Sequence, residues 1–423
     1  MKLSIVIPAY NEEEAIVSII DRTLAARPHI FENSPVDDVE VIVVSDGSTD
    51  RTAELAGGYD AVRLIVFHRN RGYGAAIKRG FEEGAGELIG FLDADGTCDP
   101  NFFAPLCTAV VEENASVAIG SRMSADSCMP ALRRFGNRGY ALILSLLSNR
   151  LVTDAASGMR VLRRDVLPHL YPLPDGLHFT PAMSARVLMD DRLTIVECPM
   201  PYRARIGESK LHVIGDGLRF LRTIFEMTLM WRPGRLFMLA AVFCFVLLVL
   251  LAMHPIEMWL TLGRLQESMI YRLLFCSLLG TMGATLLSSA VICDLLAGLL
   301  DGQTRSRTFL ARVLDHLYTF SGVGIVAVPM LPLLAWLVGG GVSTFVTAGF
   351  VDLHWSRVVL AGLIVFGIGQ MLVTVLIANI LRFHAARRKV RSAARASDQV
   401  SVPAQTLGRS RPVSRPAEAE VVA

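Results

Sequence analysis

Four stretches in the second half of this chain, residues 236–253, 273–293, 322–350 and 358–381, contain no Asp, Glu, Lys or Arg. A helix needs about 20 mainly apolar residues to cross a bilayer, so each is long enough to span, the first at the lower end of the range. Inside lipid every backbone polar group must be paired within the segment, which restricts such stretches to helices. The chain of 423 residues is 52% hydrophobic and 19% charged, against about 25% charged in an ordinary soluble domain. The apolar excess lies beyond residue 235, so the chain divides into a half of ordinary composition and a membrane half.

Basic residues orient these spans. Arg203, Arg205, Lys210, Arg219, Arg222, Arg232 and Arg235 precede the first, and Arg305, Arg307 and Arg312 separate the second from the third. Arg382, Arg387, Arg388, Lys389, Arg391 and Arg395 follow the fourth, whereas the remaining loops carry only Arg264 with Arg272, and Arg357. The expected layout is a cytoplasmic domain over 1–210, juxtamembrane amphipathic helices over 211–235, four spans within 236–381 and a basic, disordered tail over 382–423. The expected location is the cell membrane, as a multi-pass protein with the N-terminal domain and the C-terminus cytoplasmic. Residues 140–152 and 211–231 read as interfacial segments, the first equally as a core helix. The apolar run at the N-terminus is too short for a signal peptide and ends at Asn11-Glu12-Glu13-Glu14.

A net charge of +2 lacks the basic excess of a nucleic-acid protein, so no nucleic acid is expected as partner. Seven cysteines without a Cys-x-x-Cys pair indicate neither a disulfide framework nor a zinc cluster.

Over residues 3–120, short β-branched runs at 3–9, 39–45, 61–67, 88–93 and 116–120 alternate with helix-like stretches near 12–27, 49–56, 74–84 and 101–113. That alternation predicts an α/β domain with a parallel sheet covered on both faces, its ligands bound at the carboxyl ends of the strands. The polar motifs lie at those ends. Asp93-Ala94-Asp95 follows the fourth strand, and two carboxylates so spaced suit one Mg²⁺ whose other positions go to water and phosphate oxygens. Alone, the same residues serve equally as the cap of the helix after Pro100. Ser45-Asp46-Gly47-Ser48-Thr49-Asp50 ends the second strand, either as a nucleoside contact or as a turn and cap. Pro8-Ala9-Tyr10-Asn11-Glu12 ends the first. Three such constellations at three strand ends of one sheet project into one crevice, and together they suit a nucleoside diphosphate with its metal.

Val6-Ile7-Pro8-Ala9-Tyr10-Asn11-Glu12-Glu13, the Ser45–Asp50 run, Arg69-Asn70-Arg71-Gly72-Tyr73-Gly74-Ala75-Ala76 and Leu92-Asp93-Ala94-Asp95-Gly96 stand in the order and spacing of the family 2 glycosyltransferases of GT-A fold, which the chain resembles over about 3–212. Gly120-Ser121-Arg122, Asp154-Ala155-Ala156-Ser157-Gly158-Met159-Arg160 and Arg205-Ile206-Gly207-Glu208-Ser209-Lys210 are similar to the branch containing dolichyl-phosphate mannose synthase and bacterial polyprenyl-phosphate glycosyltransferases. The resemblance implies a GT-A fold with a Rossmann-like, mostly parallel sheet. It implies that Pro8, Tyr10, Glu12 and Asp46 contact the nucleoside of a UDP- or GDP-sugar and that Asp93 and Asp95 hold Mg²⁺ or Mn²⁺. It also puts Asp154 in an acceptor loop, to orient the phosphate or act as base. Many relatives have Gln two residues after the second Asp, where this chain has Thr97.

A lipid monophosphate has a second pKa near 6 and is already nucleophilic at pH 7, so a general base is optional. Bringing two anions together demands cations, and Arg122, Arg133, Arg160, Arg205 and Lys210 are the candidates. The expected activity is inverting transfer of one sugar from a nucleotide sugar to a polyprenyl phosphate, with Asp95, Asp154 and Arg160 at the reacting centre. A processive polysaccharide synthase is the alternative, although the Gln-x-x-Arg-Trp motif of such enzymes is missing. A transporter with a degenerate domain fits poorly with an intact Asp93 and Asp95. Assembly into a homo-oligomer is left open.

Reporter fusions after Arg264 and after Val351 are expected to read as external and one after Arg307 as internal; a cytoplasmic signal at Arg264 overturns this topology.

Overall fold

The computed structural model describes residues 1–124, 127–207, 213–263, 265–301, 309–351 and 353–400; at 213–214, 301, 309–312 and 389–400 it describes the backbone alone. The N-terminal half opens with β1 (Lys2–Ala9), α1 (Ile16–Ala25), α2 (Arg27–Asn33), β2 (Asp38–Ser45), α3 (Thr52–Gly57) and β3 (Val62–Val66). Then follow α4 (Tyr73–Glu83), β4 (Leu88–Leu92), α5 (Phe103–Glu112), β5 (Val117–Ser121) and α6 (Ala131–Ser148). The domain closes with β6 (Met159–Arg163), α7 (Leu167–Leu170), α8 (Phe179–Met189) and β7 (Ile195–Pro199). The helix expected near 12–27 is α1, and a second, unexpected helix follows it, with Pro28 in the first turn of α2 where its missing N–H costs nothing.

The seven strands form one sheet in the order β3-β2-β1-β4-β6-β5-β7. Strands β1 to β4 pair in parallel, as their continuous apolar runs predict. The sheet is not wholly parallel, however. β6 runs antiparallel between β4 and β5, with Leu92 opposite Met159. β6 and β7 escaped the sequence reading because β6 carries the charged Arg160 and Arg163 and β7 carries Glu197, which interrupt the apolar run that marks a buried strand. Since an antiparallel strand begins where its neighbours end, the loop ahead of β6 arrives at the carboxyl end of β4.

Side-chain alternation along each strand splits the core into two layers. Val6, Ile42, Val44, Ile89 and Phe91 pack beneath α4, α6 and α8. Ile5, Ile7, Val41, Val43 and Leu92 pack beneath α1, α2 and α5. Within residues 140–152 the core-helix reading holds for one face, and the other face is exposed. Ala141, Leu144 and Leu147 of α6 are buried in the first layer, while Leu132, Phe135, Leu142 and Leu146 lie exposed on its other side.

The second half comprises α9 (Val213–Trp231), α10 (Pro233–Leu262), α11 (Ile270–Asp301), α12 (Phe309–Leu317), α13 (Phe320–Ala348) and α14 (Trp355–Val400). Four helices, covering the four stretches that lack charge, are long and apolar enough to cross a membrane. Between 11% and 22% of the most apolar window of each is buried in the protein, so their remaining apolar surface needs lipid to cover it. The last helix is described as far as Val400, and residues 401–423 of the expected tail lie outside the described part.

The arginines just before the first span have partners in the catalytic domain. Arg232 donates from Nε to the Met189 carbonyl at 2.7 Å and pairs with Asp191 at 2.7 Å. Arg235 donates to the Leu147 carbonyl at 2.7 Å, and the buried Arg186 guanidinium stands 3.5 Å from the Trp231 ring centroid. Charges that the sequence assigns to topology thus also tie α6 and α8 to the first span.

α4 approaches β1 so closely that a Cβ on Gly80 falls 2.2 Å from Val6 Cγ1. Gly80→Ala is expected to destabilise the domain by about 1–3 kcal/mol through overpacking, and Gly80→Ala combined with Val6→Ala to recover part of that loss in thermal unfolding.

Candidate active site

The carboxyl ends of β1, β2 and β4 face one crevice, as they do at the crossover point of doubly wound sheets. It holds a cavity of about 540 Å³ whose lining includes Pro8, Tyr10, Glu12, Asp46, Asp93 and Asp95. That volume lies within the ordinary range of small-molecule sites. The three polar motifs predicted to converge therefore do so.

Asp46 is almost fully buried and accepts the backbone N–H of Arg71 at 2.7 Å and of Gly72 at 2.8 Å. Burial raises its pKa, and the two N–H groups oppose that rise. Asp46 thereby ties the Arg69–Tyr73 loop to the second strand, with Gly72 at a φ of +107° that only glycine adopts freely. The local turn is closed instead by Asp50, which accepts from Thr52 N–H at 3.0 Å, while Glu12 N–H donates to Thr52 Oγ1 at 2.8 Å. Tyr10 stays at the exposed mouth.

At the end of β4, Asp93 accepts the Tyr73 hydroxyl on Oδ1 at 2.6 Å. On the other side it abuts Gly158, where a Cβ falls 1.8 Å from Oδ2. Burial, and next the charge of Asp95, push its pKa up to about 7. Asp95 accepts Thr97 Oγ1 at 2.6 Å on Oδ1 and Arg205 Nη1 at 3.0 Å on Oδ2. Arg205 Nη2 also donates to Glu12 Oε1 at 2.8 Å. The helix cap that might have claimed these acids is made by Asp99, which accepts Asn101 N–H. A buried carboxylate whose proton affinity a second carboxylate raises suits a divalent cation bound between the two. Among the described residues no group of three or more His, Cys, Asp or Glu is placed to hold a metal, so the remaining positions would fall to water and substrate oxygens.

Two assignments need correction. Asp154 is fully buried and is not part of the cavity wall. It accepts Arg122 Nε at 2.8 Å, Arg122 Nη2 at 2.9 Å and Asn137 Nδ2 at 2.9 Å. Burial raises its pKa, but the charge and hydrogen bonds of Arg122 outweigh burial and leave it below the usual carboxylate value, which removes it as a base. Arg160 is likewise fully buried beneath the loop that precedes β6, donating to the Ser157 carbonyl at 3.0 Å and the Ala155 carbonyl at 3.0 Å. It braces that loop and contacts nothing in the cavity; burial lowers its pKa to about 10. Arg122, Arg133 and Arg205 do line the cavity, whereas Lys210 lies outside the described residues.

Sequence reasoning passed over Tyr73, Gly158, Asn137 and Tyr202, all of which line the cavity. Tyr73 and Gly158 stand inside motifs already singled out, so the signal existed without a role attached. The far wall comes from α6 and α9, with Leu132, Gly136, Tyr140, Gly217 and Phe220. Tyr140 and Phe220 meet edge to face at 6.0 Å between ring centroids. The cavity is thus acidic at the strand ends, and towards the two helices it mixes these apolar side chains with Arg133 and Asn137 of α6 and Arg219 of α9.

A family model described as glycosyl transferase family 2 matches residues 4–171. The dolichyl-phosphate hexose transferase of Haloferax volcanii is 30% identical over 234 residues, covering 54% of this chain and 94% of that protein. The low-salt glycan biosynthesis hexosyltransferase Agl6 of the same organism is 33% identical over 242 residues, 56% of this chain, which here spans 55% of the relative's length. Among solved structures, the glucosyl-3-phosphoglycerate synthase of Mycobacterium tuberculosis in complex with Mn²⁺, UDP and glucosyl-3-phosphoglycerate is similar at 23% identity, covering 53% of this chain and 79% of that one, with a TM-score of 0.43.

The folded protein keeps the Asp93 proton up to about pH 7, whereas an unfolded chain releases it near 3.8. The stability associated with that retained proton is complete below the unfolded value and is lost as pH rises through 7. Asp93→Asn is therefore expected to raise the melting temperature of metal-free protein more at pH 8 than at pH 5; an equal gain at both contradicts the assigned titration.

Proposed function

The chain belongs to the family 2 glycosyltransferases, and from that premise we propose that it moves a single sugar from a nucleoside diphosphate sugar to a polyprenyl phosphate at the cytoplasmic face of the membrane, with inversion at the anomeric carbon. The observation that carries this reading is one cavity in which acids suited to a nucleotide and its metal share the lining with four arginines, Arg122, Arg133, Arg205 and Arg219, beside two helices with exposed apolar faces. A water-soluble donor and a lipid-borne anion are the pair of substrates such polarity suits.

Pro8, Tyr10, Glu12 and Asp46 would take the nucleoside of a UDP- or GDP-sugar, and Asp93 and Asp95 would hold Mg²⁺ or Mn²⁺. When bound, that cation neutralises the diphosphate as its bond to the sugar breaks. In a single displacement, an oxygen of the acceptor phosphate forms a bond to the anomeric carbon while the bond from that carbon to the diphosphate oxygen breaks on the opposite face. The acceptor, mostly dianionic at neutral pH, has no proton to surrender, so a buried Asp154 that holds none is no handicap.

The cations then decide the rate. Arg122 stays charged because Asp154 lies against it, and its aim into the cavity is set by a two-pronged pairing whose planar geometry lysine would not reproduce. Arg133 and Arg205 supply further positive charge for the two phosphates, and Lys210 is assigned to the same acceptor side. The exposed apolar faces of α6 and α9 would rest in the headgroup region, with the four spans as anchors.

Membranes containing the protein, incubated with radiolabelled UDP- and GDP-sugars and polyprenyl phosphate, are expected to yield a chloroform-soluble, mild-acid-labile product bearing one sugar. Asp95→Asn should reduce turnover by orders of magnitude, and a full rate in that variant or in excess EDTA contradicts the metal assignment. A polymeric, water-soluble product contradicts the single transfer.

A further inference from the structure

Arg205 is delivered to the acids by backbone pairing rather than by its own reach. After β7 the chain returns across the Asp95–Thr97 loop, where Arg203 N–H donates to the Thr97 carbonyl at 2.9 Å and Ile206 N–H to the Asp95 carbonyl at 3.0 Å. The Ile206 side chain packs on Gly96, and Arg203 pairs with Asp99. The strap so formed sets one guanidinium between Asp95 and Glu12, at 3.0 and 2.8 Å, with each of the three side chains mostly buried. Both Asp95 oxygens are thereby engaged, Oδ1 by Thr97 from within the loop and Oδ2 by Arg205 from the strap.

We propose that Arg205 is the resident counter-cation of this site in the absence of metal, and that a divalent cation displaces it from Asp95 on binding. The inference rests on the reading above that Asp95 is a metal ligand. The Thr97 N–H and hydroxyl that hold Asp95 Oδ1 are neutral and Arg205 on Oδ2 is its one charged partner, so replacing Arg205 keeps a positive charge on the carboxylate: a dication takes its place and the guanidinium is released. Freed from Asp95, Arg205 remains in the cavity wall beside the phosphates it would serve. Arginine is the side chain for this position because its planar fork reaches two carboxylates at once, which a lysine ammonium on a flexible stem does not.

The test measures metal binding directly, on full-length purified protein with Mn²⁺ alone and no nucleotide, following free Mn²⁺ by electron paramagnetic resonance. Removing a charge-assisted contact that competes with the metal should tighten Mn²⁺ binding by roughly 10- to 100-fold in Arg205→Gln. Arg205→Lys, which keeps the charge and loses the two-pronged grip, should fall between that variant and the wild type. Asp95→Asn should abolish the site whether or not Arg205 is present. Asp95-dependent binding of equal affinity in wild type and Arg205→Gln overturns the displacement and leaves the glycosyltransferase reading intact. Tight binding in Arg205→Gln with wild-type affinity in Arg205→Lys reduces the effect to general charge and also overturns it. Absence of Asp95-dependent binding in every variant overturns the displacement together with the metal assignment.

Discussion

Glu12, Asp93 and Asp95 bring three carboxylates to one cavity, and the surrounding architecture is organised to keep that negative charge tolerable away from bulk water. Each acid has a dedicated neighbour. Tyr73 donates to Asp93, Thr97 and Arg205 hold Asp95, and Arg205 reaches on to Glu12. Asp93 receives the least compensation and carries the raised pKa. A site so poised gains most from a ligand that brings positive charge, a demand that two acids serving only as a helix cap would not make.

The second organising constraint is the reversal of β6. Because that strand runs against β4, the Asp154–Gly158 loop meets Asp93 instead of emerging at the opposite edge of the sheet. The loop brings Gly158 into a space too narrow for any side chain and brings Asp154 under Arg122. Breaking that buried pair would strand an uncompensated charge, a far greater loss than the pair's own net contribution. The arginine is therefore the half of the pair that faces the cavity and the aspartate its support. Arg160, hidden beneath the same loop, is part of the same bracing.

Catalytic domain and spans are joined by more than the chain. Arg232, Arg235 and the stacked Arg186 and Trp231 fasten the start of α10 to α8 and α6, so the apolar wall of the cavity is held in fixed relation to the first span. Residues that satisfy the positive-inside pattern therefore also perform tertiary work, and the two uses do not conflict because both want a cation at the same level.

Hydropathy without charge determined the four spanning helices, since lipid leaves a backbone no other choice, and β-branched runs determined the first five strands, since a sheet covered on both faces needs apolar side chains on both sides. The convergence of Pro8, Tyr10, Glu12, Asp46, Asp93 and Asp95 was legible for the same reason: parallel strands all end on one side. What the linear order concealed was direction and pairing. No local signal says that β6 runs backwards between β4 and β5, because strand orientation depends on how the connection through α6 packs, a long-range matter. Nor does any spacing rule say that Arg122 belongs to Asp154, 32 residues away, or Arg205 to Glu12, 193 residues away. Only the folded chain brings those charges within hydrogen-bonding distance, and at that distance burial and partner decide which carboxylate faces the cavity and which one holds an arginine in place.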